Sequence, residues 1–416
     1  MSFIIGALKI IVVLGTLVTI HELGHFLVAK ACKVKILKFA IGFGPKIFTK
    51  QGKETEYSLR IIPFGGFVQM EGEEEASNDA RAFNKKPIYQ RILIVAAGAT
   101  VNIIFALIVY FFISTSTNFY YGTNISSLDE SSNEYLYGLR SGDTVVKVNG
   151  KNTFVSYDVE KIISNSKSDD FVFEVERNGS RKELDVKIPI SKKGLLGISY
   201  DKNKKIVGII KDTPAFESGL QSGDVIVGVN GETINSWEEI STIISGLPDC
   251  DVSISVSRDG KELVIDTKTI SREGRFYGLA FGVIRPTGIS RILYALNETG
   301  DYFSATIEGM FNFFKGTAEN VEVMGPVGIA SEITSTSTFV EFFYLMSAIS
   351  FSLGIFNLLP IPALDGGKIL ILIIEKIRKK PIKQETEAKL SLAGFAFIIL
   401  IAFFVMAGDI TKLISK

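Results

Sequence analysis

Two histidines and a glutamate sit in the stretch "TLVTIHELGHFLVAKA" (Thr16 to Ala31), inside a run otherwise apolar enough to cross a bilayer. On a helix, His21 and His25 stand four residues apart and project from one face a turn apart, so both imidazoles can reach a single metal ion. Glu22, next to the first of them, is placed to hold a water beside that ion and take its proton. H-E-x-x-H is the zinc-hydrolase spacing, and the chain has only 2 histidines, so neither is spare. The bland reading ties these polar groups to a neighbouring helix by hydrogen bonds alone. Cost opposes it, since a charge at the bilayer centre is penalised by about 2.5 to 3.5 kcal/mol even on the lenient insertion scale.

A catalytic zinc keeps three protein ligands and one open position, so a third ligand must come from elsewhere. Asp365 in "FNLLPIPALDGGKIL" is the best candidate, with Pro360, Pro362 and the Gly366-Gly367 pair breaking the helix around it. A carboxylate there lowers the net charge of a buried ion. Asp365 also suits the N-cap of the helix that follows, but an unpaired carboxylate at membrane depth is too expensive for that role alone.

These residues need membrane elements to position them. Four runs are long enough to cross roughly 30 Å of hydrocarbon: Phe3 to Val28, Ile92 to Ile113, Phe339 to Leu359 and Ala388 to Met406. The expected fold class is therefore a polytopic helical membrane protein with four transmembrane helices and both termini on one side. The first run lacks the basic start and A-x-A-like cleavage site of a secretory signal. Lys30, Lys33, Lys35 and Lys38 after the first span, and "EKIRKKPIK" between the third and fourth, assign both connections to the cytoplasm. That leaves the stretch from about Ser114 to Thr338 outside. A formal net charge of +0 gives no reason to expect a nucleic-acid partner. Cys32 and Cys250 fall on opposite sides, so a disulfide between them would have to cross the membrane.

The middle of the chain repeats itself. "GLRSGDTVVKVNG" starts at Gly138 and "GLQSGDVIVGVNG" at Gly219, and "RNG" at Arg177 returns as "RDG" at Arg258, each pair 81 residues apart. In each copy a Gly-Asp turn leads into alternating apolar residues and an Asn-Gly hairpin signal, with one helix at "SYDVEKIIS" or "SWEEISTIIS". The pattern resembles the PDZ domain, and the expectation is two tandem α+β copies over residues 120–190 and 191–272. By that resemblance each offers a sheet edge to an extended peptide or C-terminus, with "GLLGIS" (Gly194 to Ser199) the strand beside it in the second copy. The alternative is that the copies act only as spacers or filters. From Gly288, apolar residues at helical spacing predict an amphipathic helix over 288–316 on the outer membrane lipid surface or the repeat pair, with a plain core helix as the alternative.

HELGH in the first span, LDGG in a late span and PDZ-like copies between them resemble the site-2 protease family of zinc metalloproteases, in the bacterial regulator-of-sigma-E protease type. The resemblance covers nearly the whole chain. It implies a protease of the bacterial cytoplasmic membrane that cuts peptide bonds within the membrane, with Zn2+ on His21, His25 and Asp365 and Glu22 as catalytic base. It divides the chain into an N-terminal half (1–113), the two soluble copies and a C-terminal half (339–416). "AAGATVN" matches a family motif at the start of the second span, which makes Asn102 a candidate to bind a substrate backbone, although Ala99 stands where the family has proline. Asn357 matches a family asparagine that helps hold an unwound substrate. "SLRIIPFGGFVQMEGE" matches a membrane-associated β-hairpin at about 55–72, with Gly65 and Gly66 at its bend. The substrates implied are single-pass membrane proteins, anti-sigma factors already trimmed outside or remnant signal peptides. A non-catalytic PDZ scaffold with a structural zinc is the rival from another class, and a complete H-E-x-x-H plus Asp365 set argues against it. A metal transporter would need a polar path through several spans.

Overall fold

The computed structural model describes residues 2–73, 75, 77–117, 119–130, 132–210, 213–315 and 324–414. It divides into a helical unit, Met1–Asn118 with Thr287–Lys416, and a sheet-rich unit, Phe119–Pro286. The helical unit holds α1 (Ser2–Ala31), α2 (Ile88–Ser116), α3 (Ile289–Phe314), α4 (Pro326–Ser335), α5 (Phe339–Asn357), α6 (Asp365–Arg378) and α7 (Gln384–Ile414). Among the described residues four stretches are long and apolar enough to cross a membrane, Ile4–Ala31, Ile88–Ser116, Phe339–Asn357 and Glu385–Asp409. These coincide with the four runs expected from hydropathy.

Lipid-like surroundings give helices no hydrophobic reason to associate, so close backbone approach and cross-helix hydrogen bonds must hold them. Both are present around α2. A Cβ on Gly24 of α1 would lie 2.5 Å from the Ala97 carbonyl oxygen, and one on Gly354 of α5 would lie 2.8 Å from that of Ala99. Ser347 and Ser350 of α5 donate to the carbonyls of Ala106 and Asn102, each at 2.9 Å. α5 starts on a capping box in which Thr338 Oγ1 accepts from the Glu341 N–H at 3.1 Å and Glu341 accepts from the Thr338 N–H at 3.3 Å.

α3 lies where an amphipathic helix was expected, and the expected last residue, Gly316, is outside the described residues. Its apolar face docks on α2 and α5: Phe303 shares a buried cluster with Ala106, Tyr110 and Phe351, and Tyr302 stacks on Tyr110 with ring centroids 4.3 Å apart. This differs from the expectation of a helix resting on the outer membrane surface or the repeats. Tyr302 and Phe303 find ring partners on α2 and α5, which a lipid surface does not supply.

Residues 36–70 form a sheet of two long bent strands, β1 (Ile36–Gln51) and β2 (Glu56–Met70). The chain bends where the hairpin was expected, but the expectation is corrected: the two arms do not pair with each other. Residues 36–41 lie between them, with Ala40 opposite both Ser58 and Phe67, and Ile41 opposite both Leu59 and Gly66. β1 then folds back through Gly42 and Gly44 (φ +86° and +82°), so that Thr49 meets Ser58. β2 bends at Gly65 (φ +105°), where a side chain would strike the Phe43 ring. Glycine is needed there on both counts. The arm Gly66–Met70 is thus an edge strand, paired on one side with Ile36–Ile41.

The sheet-rich unit contains both repeats, each around its own core. One core gathers Leu139, Val145, Val148, Val159, Phe171 and Phe173; the other gathers Leu220, Ile226, Val229, Ile240, Val252 and Ile254. Asn149-Gly150 and Asn230-Gly231 turn with positive φ at both residues, as the type I′ hairpin requires. In each copy an arginine grips a buried aspartate at two points: Arg177 on Asp143 at 2.6 and 2.7 Å, Arg258 on Asp224 at 2.7 and 2.8 Å.

The copies are nested, not tandem. In the second copy the strand Ile198–Tyr200 pairs with Ile206–Ile209, through Ile198 opposite Ile209 and Tyr200 opposite Ile206. The equivalent partner of the first copy's strand Tyr120–Leu128 comes from beyond the second copy: Leu279 lies opposite Leu128 and Phe281 opposite Ile125. Those positions are again 81 residues on, so "YGLAF" (Tyr277 to Phe281) repeats "LGISY" (Leu196 to Tyr200). Tyr277, Leu279 and Phe281 pack on the first core. The expected division at 190/191 is therefore corrected: the first copy is built from both sides of the second. An antiparallel ribbon, Ile190–Leu195 with Ile270–Arg275, ties the inner copy's entry to its exit.

Candidate metal centre

α1 is unbroken through His21 and His25, and α2 and α6 bring the other parts of the centre to it. His21 Nε2 and His25 Nε2 are 3.2 Å apart, and Asp365 Oδ2 lies 3.2 Å from the first and 3.4 Å from the second. Ligands bound tetrahedrally to zinc at about 2.0 to 2.1 Å are separated by about 3.3 Å. The triangle is already of zinc size. Asp365 Oδ2 is buried and, among the described residues, accepts no hydrogen bond of acceptable geometry. A buried carboxylate oxygen without a donor is costly unless a cation meets it, so these residues fit the metal. His25 Nδ1 faces the Ile94 carbonyl oxygen at 2.8 Å. A carbonyl only accepts, so Nδ1 carries the proton and Nε2 offers its lone pair to the centre of the triangle.

A cavity of about 580 Å³ opens on the triangle. It is lined by His21, Glu22, His25 and Asp365, by Phe67 to Met70 of the edge strand, and by Lys38, Glu73, Val95 and Lys368. Glu22 thus shares the space that a fourth ligand position would face, as its place in the motif requires. Lys368, one turn along α6 from Asp365, pairs with Glu73 at 3.0 Å. At the other end of α6, buried Glu375 pairs with Arg91 at the start of α2 at 3.0 Å.

Two glycines that sequence reasoning did not single out as site residues make this approach feasible. A Cβ on Gly98 of α2 would lie 2.8 Å from His21 Nε2 and closer still to His25 Nε2. One on Gly24 of α1 would meet the Ala97 carbonyl and Gly98 Cα of α2. The signal was the small-residue run "AAGA", which reads first as helix packing. Of the residues expected to meet substrate, Gly66 abuts the centre: a Cβ there would lie 3.2 Å from Glu22 Cγ and 2.8 Å from the Ala40 carbonyl. Gly65 is at the bend and Asn357, half-buried, is the last residue of α5; neither lines the cavity. Asn102 has a different neighbour from the one expected. It is fully buried, absent from the cavity wall, and its amide nitrogen lies 3.5 Å from His21 Nδ1.

Comparison with known proteins is consistent over the whole length. The profile of peptidase family M50 matches residues 9–401. The regulator of sigma-W protease RasP of Bacillus subtilis is 29% identical over 99% of this chain and 99% of its own. The zinc metalloprotease RasP of Geobacillus kaustophilus is 30% identical over 97% of each. Among solved structures, the HtrA3 PDZ domain bound to a phage-derived ligand is 18% identical with a TM-score of 0.19, covering 21% of this chain and 93% of that one. A score that low carries no argument.

Proposed function

The chain belongs to peptidase family M50, the zinc metalloproteases of regulated intramembrane proteolysis, and from that membership we propose that His21, His25 and Asp365 hold the zinc and Glu22 is the catalytic base. The observation that carries this is the triangle of ligand atoms at 3.2 to 3.4 Å with Glu22 in the cavity beside it. Bound zinc supplies Lewis acidity toward a peptide carbonyl and acidifies water. Glu22 takes the proton of the attacking water and delivers it to the leaving amine.

The substrate is a single-pass membrane protein, of the anti-sigma class or a remnant signal peptide. A transmembrane helix hides its carbonyls in its own hydrogen bonds, and unpaired backbone groups in lipid cost several kcal/mol. The edge Gly66–Met70 supports this reading, because Phe67 to Met70 line the cavity and an edge strand can accept an unwinding segment as an added strand. Asn357, by its match to the family motif, holds the unwound segment. The two nested copies are PDZ domains that sense or filter ectodomains; the 81-residue repeat and its hairpin signals support that assignment. The basic connections support a metal centre toward the cytoplasm and a nested pair outside.

Replacing Glu22 with Gln is expected to leave zinc at parental stoichiometry while turnover of a purified single-pass substrate falls about 10²- to 10⁴-fold. Unchanged turnover rejects the assigned base.

A further inference from the structure

Zinc binding through Nε2 fixes the protonation of a neutral imidazole: the lone pair goes to the metal and the proton to Nδ1, which then needs an acceptor. His25 has one in the Ile94 carbonyl, 2.8 Å away. Among the described residues, the group at His21 Nδ1 is the Asn102 amide, at 3.5 Å. The atom facing Nδ1 is the amide nitrogen, which cannot accept. The amide oxygen, meanwhile, is buried and lacks any hydrogen-bond donor among the described residues. Both mismatches disappear together if the amide turns over about its last torsion, a rotation that exchanges two groups of nearly the same size. The buried oxygen then gains a donor and Nδ1–H gains an acceptor. Contact between two donors is held open at 3.5 Å, whereas an N–H facing an oxygen closes to about 2.9 Å.

We infer that Asn102 is a positioning residue of the metal centre: its side-chain oxygen accepts the His21 Nδ1 proton and holds that imidazole with Nε2 toward the zinc. The inference rests on the zinc assignment above and gives Asn102 a role other than substrate contact. Three features suit it to that role. The residue is completely buried. Its backbone carbonyl is pinned by Ser350 Oγ at 2.9 Å, so the side chain springs from a fixed point. It lies one helical turn from Gly98, the residue that lets α2 approach both imidazoles.

The test uses the full-length protein in detergent and reads zinc affinity by chelator competition. Asn102→Leu, which keeps the volume and removes the acceptor, is expected to weaken zinc about 10- to 100-fold. Asn102→Asp, which keeps an acceptor, is expected to restore affinity to within about threefold of the parent, since a carboxylate is a common partner of a metal-bound histidine. Parental affinity in Asn102→Leu, with only KM raised, makes Asn102 a substrate contact and overturns the inference. Equal loss in both variants overturns it too, by showing a packing role. A parent that binds no zinc defeats the metal assignment itself, which keeps the two failures apart. A second readout needs no substitution: with 2 histidines in the chain, histidine nitrogen NMR of the zinc-loaded parent should show both imidazoles protonated at Nδ1. A zinc-loaded His21 protonated at Nε2 overturns the inference whatever the variants do.

Discussion

The centre depends on a glycine as strictly as on its ligands. Gly98→Ala puts a methyl group into the His21 and His25 imidazoles. The expected result is a folded protein with zinc affinity reduced by more than about tenfold, on the scale of losing a supporting partner; chelator competition measures it, and parental affinity refutes it. His21, Glu22, His25 and Asp365 were legible in the sequence because metal ligation demands particular donor atoms at particular spacings, and few other residues can substitute. Gly98 was not, because what it contributes is absence of volume, and a glycine in a membrane helix carries the same letter whether it admits a neighbouring helix or an imidazole. Asn102 was seen and given another role. Its burial against His21, the fact that reassigns it, depends on the face α2 turns to α1, which spacing alone does not give.

At the scale of elements, the proposed third ligand, Asp365, is only as well placed as α6. The Arg91–Glu375 pair, 3.0 Å with side chains 18% and 7% exposed, ties the far end of α6 to α2, which also carries Gly98. Glu375 takes a second donor from the Ile382 N–H at 2.8 Å. Arg91→Leu strands a buried carboxylate, and removing one partner of a buried pair costs about 3 to 5 kcal/mol. The expected outcome is a lower unfolding temperature in detergent, recovered in part by adding Glu375→Leu; a melting temperature equal to the parent's in the single variant would speak against the tie. The four spans were legible because hydropathy over twenty residues is a strong signal. β1 was missed. Its lysines serve as a topology marker, and the short apolar run "KILKFAIGF" around them lacks the strict period-2 alternation that marks a half-buried strand. Only the bend and its two arms over 55–72 were expected, so the strand that separates those arms was expected nowhere.

Across the whole molecule, the repeat was visible but its nesting was not, since "YGLAF", the counterpart of "LGISY", keeps the 81-residue spacing and little else. The shared glycine, Gly197 and Gly278, was the available clue. The inner copy also carries an acid-sensitive clamp. In the inner copy the Arg258 guanidinium holds the Asp224 carboxyl below the usual carboxylate range. A depressed value in the folded state means that this stabilisation is full above the unfolded value of about 3.9 and is lost as pH falls through the folded one. Arg258→Leu should therefore move acid unfolding of the inner copy to higher pH. The chain's 1 tryptophan, Trp237, lies in that copy, so its fluorescence follows the transition in the intact protein; an unmoved midpoint would contradict the clamp. Nesting also sets a timetable. Leu128 leaves the ribosome long before its partner Leu279, 279 − 128 = 151 residues later, and the outer copy stands incomplete for that interval. The inner copy, contiguous in the chain, can close as soon as it emerges, and its zipped ends deliver the late strand to the early one. Completion of the outer module is thus a receipt for the inner one, issued before the two C-terminal spans have been made.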